Sequence, residues 1–288
     1  MTYQVDVVGG FRADLGESPT WDAAHGCVWW VDAAAGALNR LDLASGSITT
    51  RGLGCRLAGL ALAPEHVFVM AESRILAVPR EAQPIGGADG DGVVQWHETS
   101  KALHDCGVAA DGSIWVGTLS PQPDRMLGGM LRLDQGEVEG VRLLDGYGMP
   151  NGIAWTADGA LTYIVDTARR VIFRSRFEGT EEVERAVWVG DLEDSGLPDG
   201  VAIDRDDGVW VAYWGTGCVV RYDRSGAVSR VIDVPARYAT SCCFGGPDLA
   251  QLFITSARHG STCEDGLDGA LFVVDVEVPG LPVPLGVA

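Results

Sequence analysis

Positive charge is scarce in this chain. Lys and Arg together number 21 against 40 Asp and Glu, for a formal net charge of −19. Nucleic acids and anionic membrane surfaces are held through basic patches, so neither is an expected partner. No apolar run approaches the ~20 residues of a membrane-spanning helix. The start, Met-Thr-Tyr-Gln-Val-Asp, lacks a basic-then-apolar leader, which argues against secretion through a signal peptide. No stretch of ten or more residues carries a helical period. No Gly-x-Ser-x-Gly elbow is present, which leaves a serine hydrolase of that kind without its nucleophile. No linker or break in composition divides the sequence. Cysteine is sparse and odd in number, seven in 288 residues. Cys242 and Cys243 are adjacent in an expected inner strand and read as buried free thiols, in keeping with a reducing cytoplasm.

What the chain does have is a repeat. A strand-like apolar run follows a turn or polar residue by about a dozen positions, roughly six times over. The clearest copies begin at Gly16, His104, Pro150, Pro198 and Thr240, with a weaker one at Arg56. The apolar runs centre near Trp30, Val69, Val116, Ile164, Val211 and Ile254, between 39 and 48 residues apart. Several short β-branched or aromatic strands within such a period, bounded by Gly, Asp, Asn and Pro, predict a propeller blade. Asp111-Gly112 and Asp158-Gly159 supply hairpin turns. The expectation is all-β: one six-bladed β-propeller domain over residues 1–288. A β-sandwich or a pair of small β-domains accounts less well for the regular spacing. The last unit lacks an outermost strand, and the unassigned run Tyr3–Val8 is expected to supply it and close the ring. The Gly86–Gly92 stretch reads as a loop; it has too few acids for a calcium loop and no closing Glu.

A ring brings one position of every repeat to a common axis. Those positions hold Glu17, the Arg56–Leu57 region, His104–Asp105, Asn151, Asp199 and Thr240–Ser241. Taken singly, Asn-Gly and Asp-Gly are turn residues, and a Glu after Gly is commonly surface. Shared phase in separate repeats gives them a second reading, as ligands. Two carboxylates and an amide oxygen are hard donors suited to Ca²⁺, Mg²⁺ or Mn²⁺, and Zn²⁺ also accepts carboxylates. Three protein ligands leave positions open for water and substrate. His104 is expected to line the same pocket as a fourth ligand, a substrate contact or a proton shuttle. Asp105 either joins it or holds the strand start. With 47% hydrophobic residues the chain can bury a sizeable core, and a monomer or weak homo-oligomer acting on a small molecule fits.

These same residues carry a resemblance to the gluconolactonase/regucalcin (senescence marker protein) family. Gly16-Glu17-Ser18-Pro19-Thr20-Trp21 resembles its LGEGPxW opening. Asn151-Gly152, Asp158-Gly159 and Tyr163-Ile164-Val165-Asp166 resemble SNGLxWSxDGxxxYxxDS. Pro198-Asp199-Gly200 with Val209-Trp210-Val211-Ala212 resembles PDGxxxDxxGxxWVA, and Thr240–Gly246 with Thr255–Arg258 resembles TSCCFGG…TxAR. The resemblance implies a six-bladed propeller with one axial divalent ion held by Glu17, Asn151 and Asp199. It also implies hydrolysis of a lactone, typically a sugar lactone. Asp199 is the expected general base, since a ligand carboxylate can still accept a proton from a nearby water. One segment departs. Where the family reads RxNDGxxDxxGRxWxGTM, this chain has Ala102 for Arg, His104 for Asn, Cys106 for the first Gly and Ala109 for the internal Asp. The lost Arg and Asn face the substrate in the family, so Lys101 or Arg125 becomes a candidate replacement. The change also opens two other readings. One is an enzyme of the same fold with a more apolar pocket, lined by Ala102, Leu103 and Cys106, for a non-sugar substrate. The other is a non-catalytic binding propeller.

Overall fold

The computed structural model describes residues 3–81, 93–120, 122, 125–134, 141–190, 192, 195–258 and 266–287. The Gly86–Gly92 stretch lies outside them. Six four-stranded antiparallel sheets account for the regular structure of these residues. In chain order, the inner strands of the six blades are Gly16–Asp22, Leu57–Leu62, Leu103–Val108, Pro150–Trp155, Leu197–Ile203 and Ala239–Gly245. Each inner strand touches the next, and the sixth touches the first, so the blades form a closed ring.

The core explains why the second strands read as unbroken apolar runs. A blade is covered on both faces, so alternate residues enter two different seams. In Cys27–Asp32 every residue is buried. Val28 and Trp30 enter the seam with blade six, beside Phe253 and Leu271. Trp29 and Val31 enter the seam with blade two, beside Leu60 and Val69. The apolar core consists of six such clusters, one between each neighbouring pair of blades. Each fully buried large side chain contributes roughly 1.5–3 kcal/mol.

Buried carboxylates tie the turns to the seams. Asp204 accepts the Trp210 indole N–H at 2.7 Å and Arg221 Nε at 2.7 Å. Asp22 accepts Trp29 Nε1 at 3.3 Å and Arg80 Nε, from blade two, at 2.7 Å. Burial pushes the Asp22 carboxyl up, but the bonds from Arg80 and His25 outweigh it and hold the group at about 2.

Closure is made by the two ends of the chain. Asp6, Val7 and Val8 pair antiparallel with Val273, Phe272 and Leu271, giving blade six its fourth strand. The expected strand began at Tyr3. The ladder starts at Asp6, while Tyr3 packs on the blade five–six seam and donates its hydroxyl to Glu277 at 2.8 Å. Beyond blade six the Pro-rich tail crosses the far mouth of the channel. Gly280 and Leu281 N–H groups bond Leu249 and Ile203 carbonyls; Gly286 and Val287 bond those of Leu62 and Gly112. The described cysteines are free thiols, and Cys242 and Cys243 are buried. No helix among the described residues is long and apolar enough to cross a membrane.

Candidate active site

All six inner strands break register with their neighbours near the start. The interruption lies between Glu17 and Thr20, Leu57 and Gly59, Leu103 and Cys106, Pro150 and Ile153, Pro198 and Val201, and Ala239 and Ser241. A β-bulge leaves a residue unpaired and re-aims its side chain. His104, Asn151, Asp199 and Thr240 all fall inside these interruptions, and Glu17 borders one. The shared phase in sequence is thus a shared defect in pairing, repeated around the axis.

The strand entries are held from behind. Asp32 accepts the N–H groups of Asp14 at 2.8 Å, Leu15 at 3.1 Å and Ala35 at 3.0 Å. Asp166 does the same for Gly148 at 2.9 Å, Met149 at 3.1 Å and Arg169 at 3.3 Å. These two carboxylates lie fifteen residues after Glu17 and Asn151 respectively, and fix the loops that deliver them. The Thr240 hydroxyl donates to the Gly16 carbonyl, tying blade six to the Glu17 strand.

Asn151 and Asp199 are buried. Asn151 Nδ2 donates to Asp199 Oδ1 at 2.6 Å and to Thr167 Oγ1 at 3.1 Å. Thr167 in turn donates to the Pro198 carbonyl at 2.7 Å. Both amide hydrogens are therefore committed, and Oδ1 has no hydrogen-bond partner among the described residues. Glu17 is half-buried and makes no hydrogen bond to the described residues. Burial, then the nearby charges of Asp199 and Asp105, raise its carboxyl well above the usual range. Asp199 is also raised well above its ordinary value, by burial and the Asp105 charge. Asp105 accepts the Ser18 hydroxyl at 2.9 Å, and burial still raises it.

His104 directs Nδ1 at the Pro150 carbonyl, 3.0 Å away. A carbonyl only accepts, so Nδ1 carries the proton and Nε2 keeps its lone pair. Burial lowers the ring's pKa, against the opposing pull of Asp105, and the charge of Arg56 lowers it further. The imidazole is therefore neutral near pH 7 and a base at Nε2.

Ser18 has φ 53°, in the left-handed region, where the resembled motif has Gly. Its hydroxyl also accepts the Leu60 N–H at 3.3 Å, so one strained residue links blades one, two and three. The glycines after the candidate ligands serve a purpose the sequence did not suggest. Gly152 and Gly200 are not left-handed. A Cβ on Gly152 would lie 2.6 Å from Val201 N, and one on Gly200 would lie 2.7 Å from Ser241 Cα. They permit neighbouring inner strands to approach, rather than keeping space open for a ligand.

The donor set fits a divalent cation. The charges of Asp199 and Asp105 raise Glu17, that of Asp105 raises Asp199, and no Lys or Arg pairs with these three carboxylates among the described residues. Such a cluster is costly unless compensated, and a hard cation compensates it. Among the described residues no three His, Cys, Asp or Glu side chains form a ligand group, so the Asn151 oxygen is an integral part of any set here. Lys101 is half-buried ahead of blade three's inner strand, and Arg125 is exposed, its N–H bonded to the Gln122 carbonyl. Leu103 packs in the seam between blades two and three rather than in the pocket. Cys106 borders an axial cavity of about 390 Å³ beneath the cluster, together with Ser18, Asp105, Leu60, Ile153 and Phe244.

A ring of six four-stranded blades, with candidate hard-oxygen donors where its inner strands begin, is a six-bladed β-propeller. The model of the SMP-30/Gluconolactonase/LRE-like region matches residues 15–258, and the chain belongs to that family. A pentonolactonase of Haloferax volcanii is 33% identical, with 93% of each chain covered. A 6-deoxy-6-sulfogluconolactonase of Pseudomonas putida is 32% identical, with 94% of each covered. A crystal structure described as a calcium-binding protein, regucalcin, from Agrobacterium tumefaciens superposes with a TM-score of 0.87. It is 25% identical and covers 99% of this chain and 97% of that one.

Proposed function

We propose that this chain is a divalent-metal-dependent hydrolase of lactones, sugar lactones and related esters, with Asp199 as its general base. The observation that carries the reading is the group of three unneutralised carboxylates, Glu17, Asp105 and Asp199, beside an Asn151 oxygen with no partner among the described residues. Relatives named as lactonases, and a neighbour described as calcium-binding, support both halves of it.

Glu17, Asn151 Oδ1 and Asp199 would hold the ion. When bound, it supplies Lewis acidity that polarises the lactone carbonyl and favours the oxyanion. Asp199 accepts a proton from the attacking water as the oxygen–carbon bond forms. The ring C–O bond then breaks, and that proton goes to the departing alkoxide, leaving a hydroxy acid. Neutral His104, with its Nε2 lone pair, accepts a hydrogen bond from substrate or water on the blade-three side. Asn151 keeps Asp199 oriented throughout.

The test is hydrolysis of a panel of sugar lactones, aliphatic lactones and aryl esters, with EDTA and then with metal restored. Turnover that EDTA abolishes and a divalent ion recovers is the expected result. Metal binding without hydrolysis of any of these compounds would refute the catalytic half.

A further inference from the structure

The carbonyl ahead of each candidate ligand is held by a side chain from the preceding blade of the ring. Thr240 of blade six donates to the Gly16 carbonyl, ahead of Glu17. His104 Nδ1 of blade three lies 3.0 Å from the Pro150 carbonyl, ahead of Asn151. Thr167 of blade four donates to the Pro198 carbonyl at 2.7 Å, ahead of Asp199. Two of these carbonyls belong to proline, which has no N–H, so the carbonyl is the one backbone group through which the residue can be tied. His104 and Thr240 lie within the register breaks of their own inner strands. In blade four that place is taken by Asn151, and the tie passes to Thr167, directly after the second strand Thr162–Asp166.

Thr167 also touches a candidate ligand directly. It is buried, and its Oγ1 lies 3.1 Å from Asn151 Nδ2. A hydroxyl has one proton, and Thr167 gives it to the Pro198 carbonyl. Toward Asn151 it can therefore only accept, so the amide must present its nitrogen there. A turned amide would set Asn151 Oδ1 against the Thr167 lone pairs, and also against Asp199 Oδ1, which accepts from Nδ2 at 2.6 Å. The Thr167 hydroxyl thus selects which end of the amide is left for an ion. Hard cations take oxygen ligands, so the selected end is the useful one.

We propose that Thr167 is a positioning residue of the ion site, turning the Asn151 oxygen toward the cation and tying the Asp199 strand to blade four. The inference rests on the metal-binding half of the reading above and not on lactone chemistry. Thr167 acts through Asn151 and Pro198 and is not itself a ligand. Partners that orient metal ligands from behind are typically worth roughly 10–100-fold in metal affinity.

The experiment titrates Ca²⁺ by calorimetry, without substrate, into the full-length protein after EDTA treatment and dialysis. Wild type is compared with Thr167→Val and Thr167→Ser, and Mg²⁺, Mn²⁺ and Zn²⁺ are used in turn if Ca²⁺ does not bind wild type. Valine keeps the shape and loses both hydrogen bonds; serine keeps both. The expected result is a Kd raised about tenfold or more in Thr167→Val and within about threefold of wild type in Thr167→Ser. A purely structural role would lower the melting temperature of Thr167→Val in EDTA and leave the Kd of the folded protein unchanged, and that outcome overturns the proposal. Equal weakening in both variants also overturns it, since the hydroxyl is then not the cause. Should the valine variant fail to fold, Thr167→Ala is titrated against Thr167→Ser on the same criterion. A wild type that binds none of the four cations refutes the metal reading, and this inference with it, whereas failure to hydrolyse any lactone leaves the comparison intact.

Discussion

The Asn151 amide nitrogen lies 2.6 Å from Asp199 Oδ1, a bond from blade four to blade five between two buried side chains. It joins the neutral donor of the candidate set to the proposed base. The same bond holds down an Asp199 carboxyl that burial and Asp105 push upward.

Asp199→Asn should reduce kcat/KM at least a thousandfold while leaving the fold intact. In the presence of EDTA the variant should melt no lower than wild type, because a buried carboxylate whose charge raises Glu17 has been neutralised. Circular dichroism melts alongside the rate measurement check both parts, and a near wild-type rate would remove Asp199 from its role.

Glu17→Gln should weaken ion binding at least tenfold, since a half-buried carboxylate with no partner among the described residues becomes a neutral amide of the same shape. Elemental analysis after dialysis, followed by calorimetric metal titration, measures this directly. Metal content equal to wild type counts against the ligand assignment.

Asp22 governs part of the acid response. Its folded-state value of about 2 lies below the ordinary 3.8. The folded state thus binds that proton less readily than the unfolded chain. The stability it contributes is present above about pH 4 and is lost as pH falls through 2. In Asp22→Asn the urea midpoint should vary less across that window. At pH 7 the variant should be less stable by roughly 3–5 kcal/mol, because Arg80 stays buried with no counter-charge. Denaturation curves at several pH values show whether the two proteins converge at low pH.

Ser18 separates backbone strain from hydrogen bonding. Ser18→Ala keeps the left-handed φ and removes both the donor to Asp105 and the acceptor for the Leu60 N–H. That should cost about 1–3 kcal/mol. Ser18→Gly loses the same bonds and regains part of the cost, since Gly adopts positive φ with little penalty. Urea denaturation should rank wild type above Ser18→Gly and Ser18→Ala lowest. The reverse order of the two variants would mean that the backbone at residue 18 is not the source of strain.

Much of the architecture was legible because propeller blades obey local rules. Runs such as Cys27–Asp32 alternate between two seams, and turns such as Asp111-Gly112 need a left-handed Gly, here at φ 84°. The missing strand of the last unit was equally legible as the orphan run at the N-terminus. The register breaks were not, since a bulge depends on how two strands pair and leaves no composition signal. Asp32 and Asp166 were overlooked although their equal spacing from Glu17 and Asn151 was available, because a single Asp at a strand end also reads as turn chemistry. Gly152 and Gly200 follow from the distance between neighbouring strands, which no single strand's sequence displays. Leu103, expected with Ala102 and Cys106 to make the pocket more apolar, packs instead in the seam between blades two and three.

The tail at Gly280–Val287, bonded to Leu249, Ile203, Leu62 and Gly112, spans the channel from one side of the ring to the other. Among the described residues it covers the mouth of the axis opposite Glu17, Asn151 and Asp199. On the lactonase reading, lactone and hydroxy acid would then share the mouth on the ligand side, and the acid product would compete there with incoming substrate.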